Sequence, residues 1–208
     1  MEAGDDHDMT AEPLLVLIGP AATGKTTLGR GVAAALGCSF VDLDVVGDSY
    51  YAEVGWSIAR VVERVGIVGR LAAEREWEHA RAHAVQRVIE DHPRTVIALG
   101  AGHTSFTNRD HAARARVALG RCPSVHMVLP SSDRDEALAV LRKRAISSKG
   151  TDWTVDGHDF LAEWLDDRVS HAMATRTVYT AGETPQQSIA AITSLVEGRK
   201  GISARADL

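Results

Sequence analysis

The sequence of 208 residues predicts one α/β domain in three layers, with a five-stranded parallel sheet covered by helices on both faces. Two observations carry this prediction. Short apolar runs alternate along the chain with longer segments in which apolar residues recur at helical spacing. The apolar runs are continuous, as expected for parallel strands that are buried on both faces. No internal repeat and no linker-like stretch in the sequence indicates a second domain.

The first predicted elements are a strand, a loop and a helix. Residues 14–18 form an apolar, β-branched run, and helical spacing follows until Gly37, a residue type that commonly ends helices. Residues 39–44 then predict a second strand that ends in Asp42 and Asp44. Alternation along an extended strand would place these two carboxylates on the same side, at the strand end where open α/β sheets bind ligands.

Helices are predicted between the second and third strands. Residues 55–65 show helical apolar spacing, and a longer helical pattern covers about 70–91 before Pro93 ends it. Residues 95–99 predict the third strand, which runs into a corner of small residues at 100–103. Small residues at that corner would let a ligand approach the backbone closely.

The second half of the chain continues the alternation. Its predicted elements are a helix capped by Asn108 and ending near 119, a strand over 125–129, a helix capped by Ser132 or Asp133 and ending near 146, a helix over about 160–174, a strand over 177–180 and a helix from Pro185 to 196. The polar, glycine-broken residues 147–159 are interpreted as a mobile lid. We expect a disordered leader over 1–12, one domain over 13–197 and a flexible tail over 198–208.

The loop after the first strand matches the phosphate-binding pattern G-x-x-x-x-G-K-[ST] at every fixed position. Backbone N–H groups of such a loop and the start of the following helix surround phosphate oxygens. Lys25 is expected to reach the β- and γ-phosphates of ATP, and the Thr26 hydroxyl to bind Mg²⁺. The residues expected to hold the nucleotide are Gly19, Ala22, Thr23, Gly24, Lys25, Thr26 and Thr27.

Composition limits the partners and the compartment. The net charge of −5 argues against nucleic acid or an anionic membrane as the main partner. No apolar run approaches the ~20 residues of a membrane span, and the acidic N-terminus lacks the features of a signal peptide. Cys38 and Cys122 are interpreted as buried thiols in a reducing cytoplasm. The expected partner is a small-molecule alcohol, and the expected assembly is a monomer or a homodimer.

Several segments resemble the shikimate kinases, a family in the nucleoside-monophosphate-kinase-like branch of P-loop proteins. The resembling segments are residues 19–30, 40–44, 55–58, 96–102 and 179–185, so that the likeness spans most of 14–197. The resemblance implies an ATP-dependent kinase with a P-loop NTPase fold that phosphorylates an alcohol. It implies that Asp42 lies near the metal, and that Asp44 binds the substrate hydroxyls and acts as the base. It also implies that Gly100 and Gly102, with Ala101 between them, line the substrate pocket.

The same resemblance assigns basic residues. It implies that Arg142 packs on adenine, that Lys149 is the basic lid residue over the phosphates and that Arg168 binds a substrate carboxylate. A further substrate arginine is either Arg70 or Arg75. Phosphoryl transfer requires an oriented hydroxyl and neutralised charge, so a lid cation such as Lys149 has a physical reason to be there.

The chain departs from the family pattern around the acceptor. Ala101 replaces the middle glycine of the corner, and Lys149-Gly150 replaces an arginine followed by proline. A lysine cannot clamp phosphate in a bidentate way. We therefore expect the acceptor to be shikimate or a related cyclic or anionic alcohol, including natural-product or antibiotic alcohols. A nucleoside or nucleotide kinase, or a non-catalytic ATP-binding switch, is the alternative.

Other candidate residues have a structural and a functional interpretation. His79 and His83 are four residues apart on a predicted helix, but a solvated face is favoured over a metal site. His103 is either a substrate contact or a loop residue, and His158 is interpreted as a solvated lid residue. Trp153 either caps the pocket or anchors the lid. The other three tryptophans are expected in the core, namely Trp56, Trp77 and Trp164.

Overall fold

A computed structural model describes residues 12–206 of the chain, and the side chains of 12–198. The predicted leader, apart from Glu12, and the last two residues lie outside the described part. Ten helices and seven strands fall within it. In chain order they are β1 (Leu15–Ile18), α1 (Lys25–Leu36), β2 (Phe40–Asp42), α2 (Leu43–Ala52), α3 (Ile58–Val68), α4 (Arg70–Glu76), α5 (Glu78–Asp91), β3 (Val96–Ala98), α6 (Arg109–Gly120), β4 (Val125–Leu129), α7 (Arg134–Lys149), β5 (Thr154–Val155), β6 (His158–Asp159), α8 (Phe160–Asp166), α9 (Arg168–Met173), β7 (Arg176–Tyr179) and α10 (Pro185–Ala206).

The main sheet has five strands in the order β2-β3-β1-β4-β7, and all four neighbouring pairs are parallel. This confirms the predicted fold class. The central strand β1 pairs with β3 on one side and β4 on the other, so the loop that follows β1 lies in the middle of the carboxyl edge. That edge is where ligands bind in open α/β sheets.

Two hydrophobic cores lie on opposite faces of the sheet. Leu15 and Leu17 of β1 face one core, which α1 and α10 cover. Val16 and Ile18 face the other core, to which α5, α6, α7 and α8 contribute. Because successive side chains of a strand point to opposite faces, four consecutive apolar residues serve both cores. Within the described residues, no helix is long and apolar enough to cross a membrane.

The structure corrects the second predicted strand. Strand β2 ends at Asp42, and the chain turns at once into α2, so Asp44 lies in the first helical turn and not on a strand. The cause is local, because the Asp42 carboxylate accepts a hydrogen bond from the Asp44 backbone N–H at 3.1 Å. An aspartate at this position caps a helix by satisfying its free N–H groups.

Three helix boundaries also differ from the prediction. The pattern over 70–91 divides at Trp77, where the Glu74 carbonyl accepts a bond from the buried Arg81 guanidinium at 3.2 Å. The pattern over 160–174 divides at Asp167, whose side chain caps α9. The last helix, expected to end at 196, continues to Ala206 through most of the predicted tail.

The lid is more ordered than the sequence indicates. Residues 147–149 are the last turn of α7, and Gly150 ends that helix with φ of 68°. Strands β5 and β6 then form a short antiparallel hairpin. The hairpin turns at Asp156 and Gly157, which have φ of 52° and 78°, and an Asp-Gly pair with positive φ favours this type of turn.

Candidate active site

The phosphate-binding loop connects β1 to α1 and depends on two glycines with positive φ. Gly19 has φ of 133°, and a Cβ there would lie 2.6 Å from the Val128 carbonyl oxygen of β4. Gly24 has φ of 93° and precedes the first residue of α1. Both positions therefore require glycine, and the free N–H groups at the start of α1 point into the loop.

Lys25 lies across this loop. Its Nζ donates hydrogen bonds to the carbonyl oxygens of Gly19 and Pro20, each at 2.7 Å. Burial lowers the pKa of Lys25 to about 8, and the negative charges of Asp44 and Asp42 oppose this effect. The ammonium group thus has only backbone carbonyls as hydrogen-bond partners within the loop, and phosphate oxygens are stronger acceptors for it.

The Thr26 hydroxyl donates to the Asp42 carboxylate at 2.8 Å. A hydroxyl and a carboxylate oxygen side by side are ligands that suit Mg²⁺, which keeps several waters and binds phosphates rather than a full protein cage. The Thr26–Asp42 pair therefore fits a magnesium ion shared with a nucleotide.

The small-residue corner after β3 brings Asp44 close to His103. A Cβ built on Gly100 would lie 2.0 Å from Asp44 Oδ1 and 2.7 Å from His103 Nδ1. The absence of a side chain at Gly100 thus leaves room for both the carboxylate and the imidazole. At Gly102, φ is 80° and a Cβ would lie 2.5 Å from an Arg81 Nη atom. Of the three corner residues, Ala101 lines the cavity described below.

His103 is buried, with 2% of its surface exposed. Its Nε2 lies 2.7 Å from the Tyr51 hydroxyl, whereas Nδ1 has no hydrogen-bond partner among the described residues. Burial, assisted by the positive charge of Arg81, lowers the pKa of His103 to about 3, so the ring is neutral. The sequence did not identify Tyr51 or Arg81, because neither belongs to a motif and both act through contacts distant in sequence.

One cavity of about 890 Å³ connects the phosphate loop, the small-residue corner and the lid. Its lining includes most of the predicted nucleotide residues, both candidate aspartates and two basic residues at the end of α7. These lining residues are Ala22, Thr23, Gly24, Lys25, Thr26, Thr27, Asp42, Asp44, Arg144 and Lys149. The positive charge of Lys149 contributes to lowering the pKa of Lys25, so the lid interacts electrostatically with the phosphate loop.

Tryptophans form one wall of the cavity. Trp77, Trp153 and Trp164 all line it, and the rings of Trp153 and Trp164 meet edge to face at 5.2 Å. The Arg70 guanidinium lies over the Trp153 ring at 5.6 Å and pairs with Glu74 at 2.5 Å. Trp77 and Trp164 therefore contact the core and also line the cavity, and Trp153 lines the cavity while packing against Trp164.

Arg142 does not line the cavity. Its guanidinium pairs with Asp159, the residue whose side chain also caps α8. His158 beside it is partly exposed, and its Nε2 lies 2.5 Å from the Glu163 carboxylate. These contacts hold the base of the lid hairpin, and the adenine contact of Arg142 stays a prediction.

The predicted substrate arginines differ in whether they line the cavity. Arg70 lines the cavity, whereas Arg75 donates two bonds to the Glu163 carboxylate at 3.0 Å and does not line it. Arg168 is exposed at the start of α9 and is likewise absent from the lining. Of the three predicted substrate arginines, Arg70 is the one that lines the cavity, and the roles of Arg75 and Arg168 stay predictions. The His83 ring contacts Glu53 at 2.6 Å through Nε2 and Arg114 at 2.9 Å through Nδ1.

Comparison with known proteins adds to this geometry. The family model described as shikimate kinase matches residues 21–196. A shikimate kinase of Salinispora arenicola is 30% identical over 189 residues, which cover 88% of this chain and 98% of that protein. The shikimate kinase 2 of Escherichia fergusonii is 40% identical over 88 residues, or 42% of each chain.

A solved structure has the same fold. The shikimate kinase from Acinetobacter baumannii, determined in complex with shikimate, superposes with a TM-score of 0.63 over 92% of this chain and 96% of its own. Its sequence identity is 20%, so this likeness concerns the fold alone.

Proposed function

Because this chain belongs to the shikimate kinase family and is an ATP-dependent phosphotransferase with an alcohol acceptor, we propose that it phosphorylates shikimate or a closely related cyclic alcohol. The observation that carries the proposal is the placement of Asp44. Its carboxylate lines the same cavity as Lys25 and Thr26 and lies beside Gly100 of the small-residue corner. A hydroxyl placed there would have a proton acceptor on one side and the phosphate loop on the other.

On the donor side, we assign the nucleotide phosphates to the loop and to Lys25. The Lys25 Nζ would exchange its two carbonyl partners for phosphate oxygens with little movement, because the carbonyls belong to the loop itself. Thr26 and Asp42 would hold Mg²⁺, which supplies positive charge that offsets the charge of the phosphates. Arg144 and Lys149 line the lid side of the cavity and would add positive charge over the transferring group.

On the acceptor side, Asp44 would orient the attacking hydroxyl. As the hydroxyl oxygen bonds to the γ-phosphorus and the bond to the ADP oxygen breaks, the hydroxyl proton would pass to Asp44. The flat rings of the tryptophan wall offer a surface for the apolar face of a cyclic substrate. Arg70, fixed between Glu74 and Trp153, would contact a substrate carboxylate.

The contact between Arg70 and Glu74 also supports a second candidate. Because the Glu74 carboxylate lies 2.5 Å from the Arg70 guanidinium, part of the charge available to an anionic acceptor is already neutralised. A neutral cyclic polyol would then use the same cavity without a carboxylate contact. The two candidates share the reaction and differ only in the charge of the acceptor.

The test is ADP release with ATP and Mg²⁺, measured on shikimate, neutral cyclic polyols, sugar acids and nucleosides. We expect turnover on shikimate that Lys25→Ala removes, with ³¹P spectra showing the phosphate on the acceptor. Turnover on a neutral polyol and none on shikimate would favour the second candidate. Turnover confined to nucleosides, or ATP binding without turnover on the whole panel, would contradict the proposal.

A further inference from the structure

We propose that His103 is a positioning residue that holds the Asp44 carboxylate in place through its Nδ1–H group, with Tyr51 fixing the imidazole from the other side. The inference rests on the proposed function, because it assigns Asp44 the acceptor hydroxyl. It goes beyond the phosphate loop, the metal pair and the basic residues, none of which involves this imidazole.

The first support is the placement of an unsatisfied atom. His103 lines the cavity and is 2% exposed, yet its Nδ1 has no hydrogen-bond partner among the described residues. A buried polar atom without a partner costs free energy, so its retention calls for an explanation. The candidate partner is the Asp44 carboxylate, because a Cβ on Gly100 would lie 2.0 Å from its Oδ1 and 2.7 Å from Nδ1. The backbones of Gly100 and Ala101 also act on the imidazole and oppose the lowering of its pKa.

The second support is the tautomer. The Tyr51 hydroxyl lies 2.7 Å from Nε2, and burial together with the charge of Asp44 raises the pKa of Tyr51. The phenol therefore keeps its proton, and we assign it as the donor to Nε2. In a neutral imidazole one nitrogen carries hydrogen and the other accepts, so this donation leaves the hydrogen on Nδ1. A hydrogen on Nδ1 is also the arrangement that the facing carboxylate favours electrostatically.

The third support is that the imidazole stays neutral. The nearby Arg81 is buried and donates to the Gly102 carbonyl oxygen, which places a fixed positive charge beside His103. A neutral N–H donor can orient a carboxylate without forming an ion pair that would hold the proton acceptor too strongly. The Asp44 side chain is exposed and lines the cavity, so rotation of its carboxylate would complete the contact.

The test is a set of matched variants at two positions. His103→Leu removes the donor, His103→Asn offers an amide N–H close to the position of Nδ1, and Tyr51→Phe removes only the hydroxyl that fixes the tautomer. We expect His103→Leu to lower kcat by roughly tenfold to a hundredfold, the size of one hydrogen bond to a charged group, with ATP affinity unchanged. His103→Asn should recover most of kcat, and Tyr51→Phe should lower it several-fold.

A double-mutant cycle separates this role from a general structural one. In an Asp44→Ala background, His103→Leu should lower kcat no further, because the imidazole acts through Asp44. Equal losses from His103→Leu in both backgrounds, or no rescue by His103→Asn when both variants melt at the same temperature, would overturn the proposal.

A spectroscopic measurement decides the question without turnover. Long-range ¹H–¹⁵N spectra of the histidine rings, with His103 assigned by its loss in His103→Asn, should show the hydrogen on Nδ1. A hydrogen on Nε2 would overturn the proposal even if His103→Leu failed to fold. Absence of turnover in the wild-type protein would instead contradict the proposed function, so the two failures are distinguishable.

Discussion

Substitution of Gly100 by alanine tests the geometry of the acceptor corner. The new methyl carbon would lie 2.0 Å from Asp44 Oδ1, whereas ordinary contacts begin near 3.4 Å, so the carboxylate must retreat by more than 1 Å. The Asp44 side chain is at the cavity surface and can move, whereas the buried His103 ring, 2.7 Å from the same position, must shift as well, so thermal melting is measured beside the rate. Misplacement of a reacting group by ~1 Å costs about a hundredfold in rate, and we expect kcat to fall by that order.

The assay is steady-state ADP release, accompanied by ADP affinity and thermal melting. Gly66→Ala is the matched control, because Gly66 lies inside α3 and a Cβ there meets no atom within 4 Å. The control should keep kcat and gain up to ~1 kcal/mol of stability, since alanine favours a helix over glycine. A Gly100→Ala protein with wild-type kcat would refute the placement of Asp44 at the reacting hydroxyl.

Three further predictions concern other parts of the chain. Arg70→Gln should raise the KM of a carboxylate-bearing acceptor about tenfold and Arg168→Gln should leave it unchanged, as initial rates would show; the opposite order would contradict the assignment. The Glu78 side chain is 1% exposed and accepts hydrogen bonds from the backbone N–H groups of Thr107 and Asn108. Burial raises the pKa of Glu78, but these hydrogen bonds outweigh burial, so the pKa is lowered overall. Since a lowered folded pKa stabilises above the ordinary value of 4.5, Glu78→Gln should cost about 2 kcal/mol in denaturant unfolding at pH 7, and the difference should shrink as the pH falls below that value. Burial, then the charge of Glu12, raises the pKa of the Cys122 thiol to about 12, so an alkylating reagent at pH 8 should label it only after unfolding; rapid labelling of the native protein would be inconsistent with its burial.

The phosphate loop and the sheet could be predicted because their signals are local. The loop depends on Gly19 and Gly24 with their neighbours, and each buried strand is one continuous apolar run. The change from strand to helix at Asp42 was harder to predict, because an aspartate at this position can either continue a strand or cap a helix. The carboxylate of Asp42 bonds the Asp44 N–H, and the helix prevails.

The acceptor side was less predictable because its contacts join residues distant in sequence. Arg142 has the type and position of a nucleotide contact, but Asp159 of the lid pairs with it. Arg81 resembles an ordinary helix residue in the sequence and is instead buried beside the small-residue corner. His103 was assigned two alternatives, and only the burial of its ring and the contact with Tyr51 distinguish a site residue from a loop residue.

The central claim is that Asp44 serves the acceptor hydroxyl opposite the phosphate loop. The most direct measurement is single-turnover formation of the phosphorylated acceptor from shikimate and ATP, comparing the wild-type protein with Asp44→Asn. We predict equal ATP binding in both proteins and a transfer step at least about a hundredfold slower in Asp44→Asn, since proton acceptors contribute 10²–10⁴-fold. Transfer at the wild-type rate in Asp44→Asn would contradict the claim.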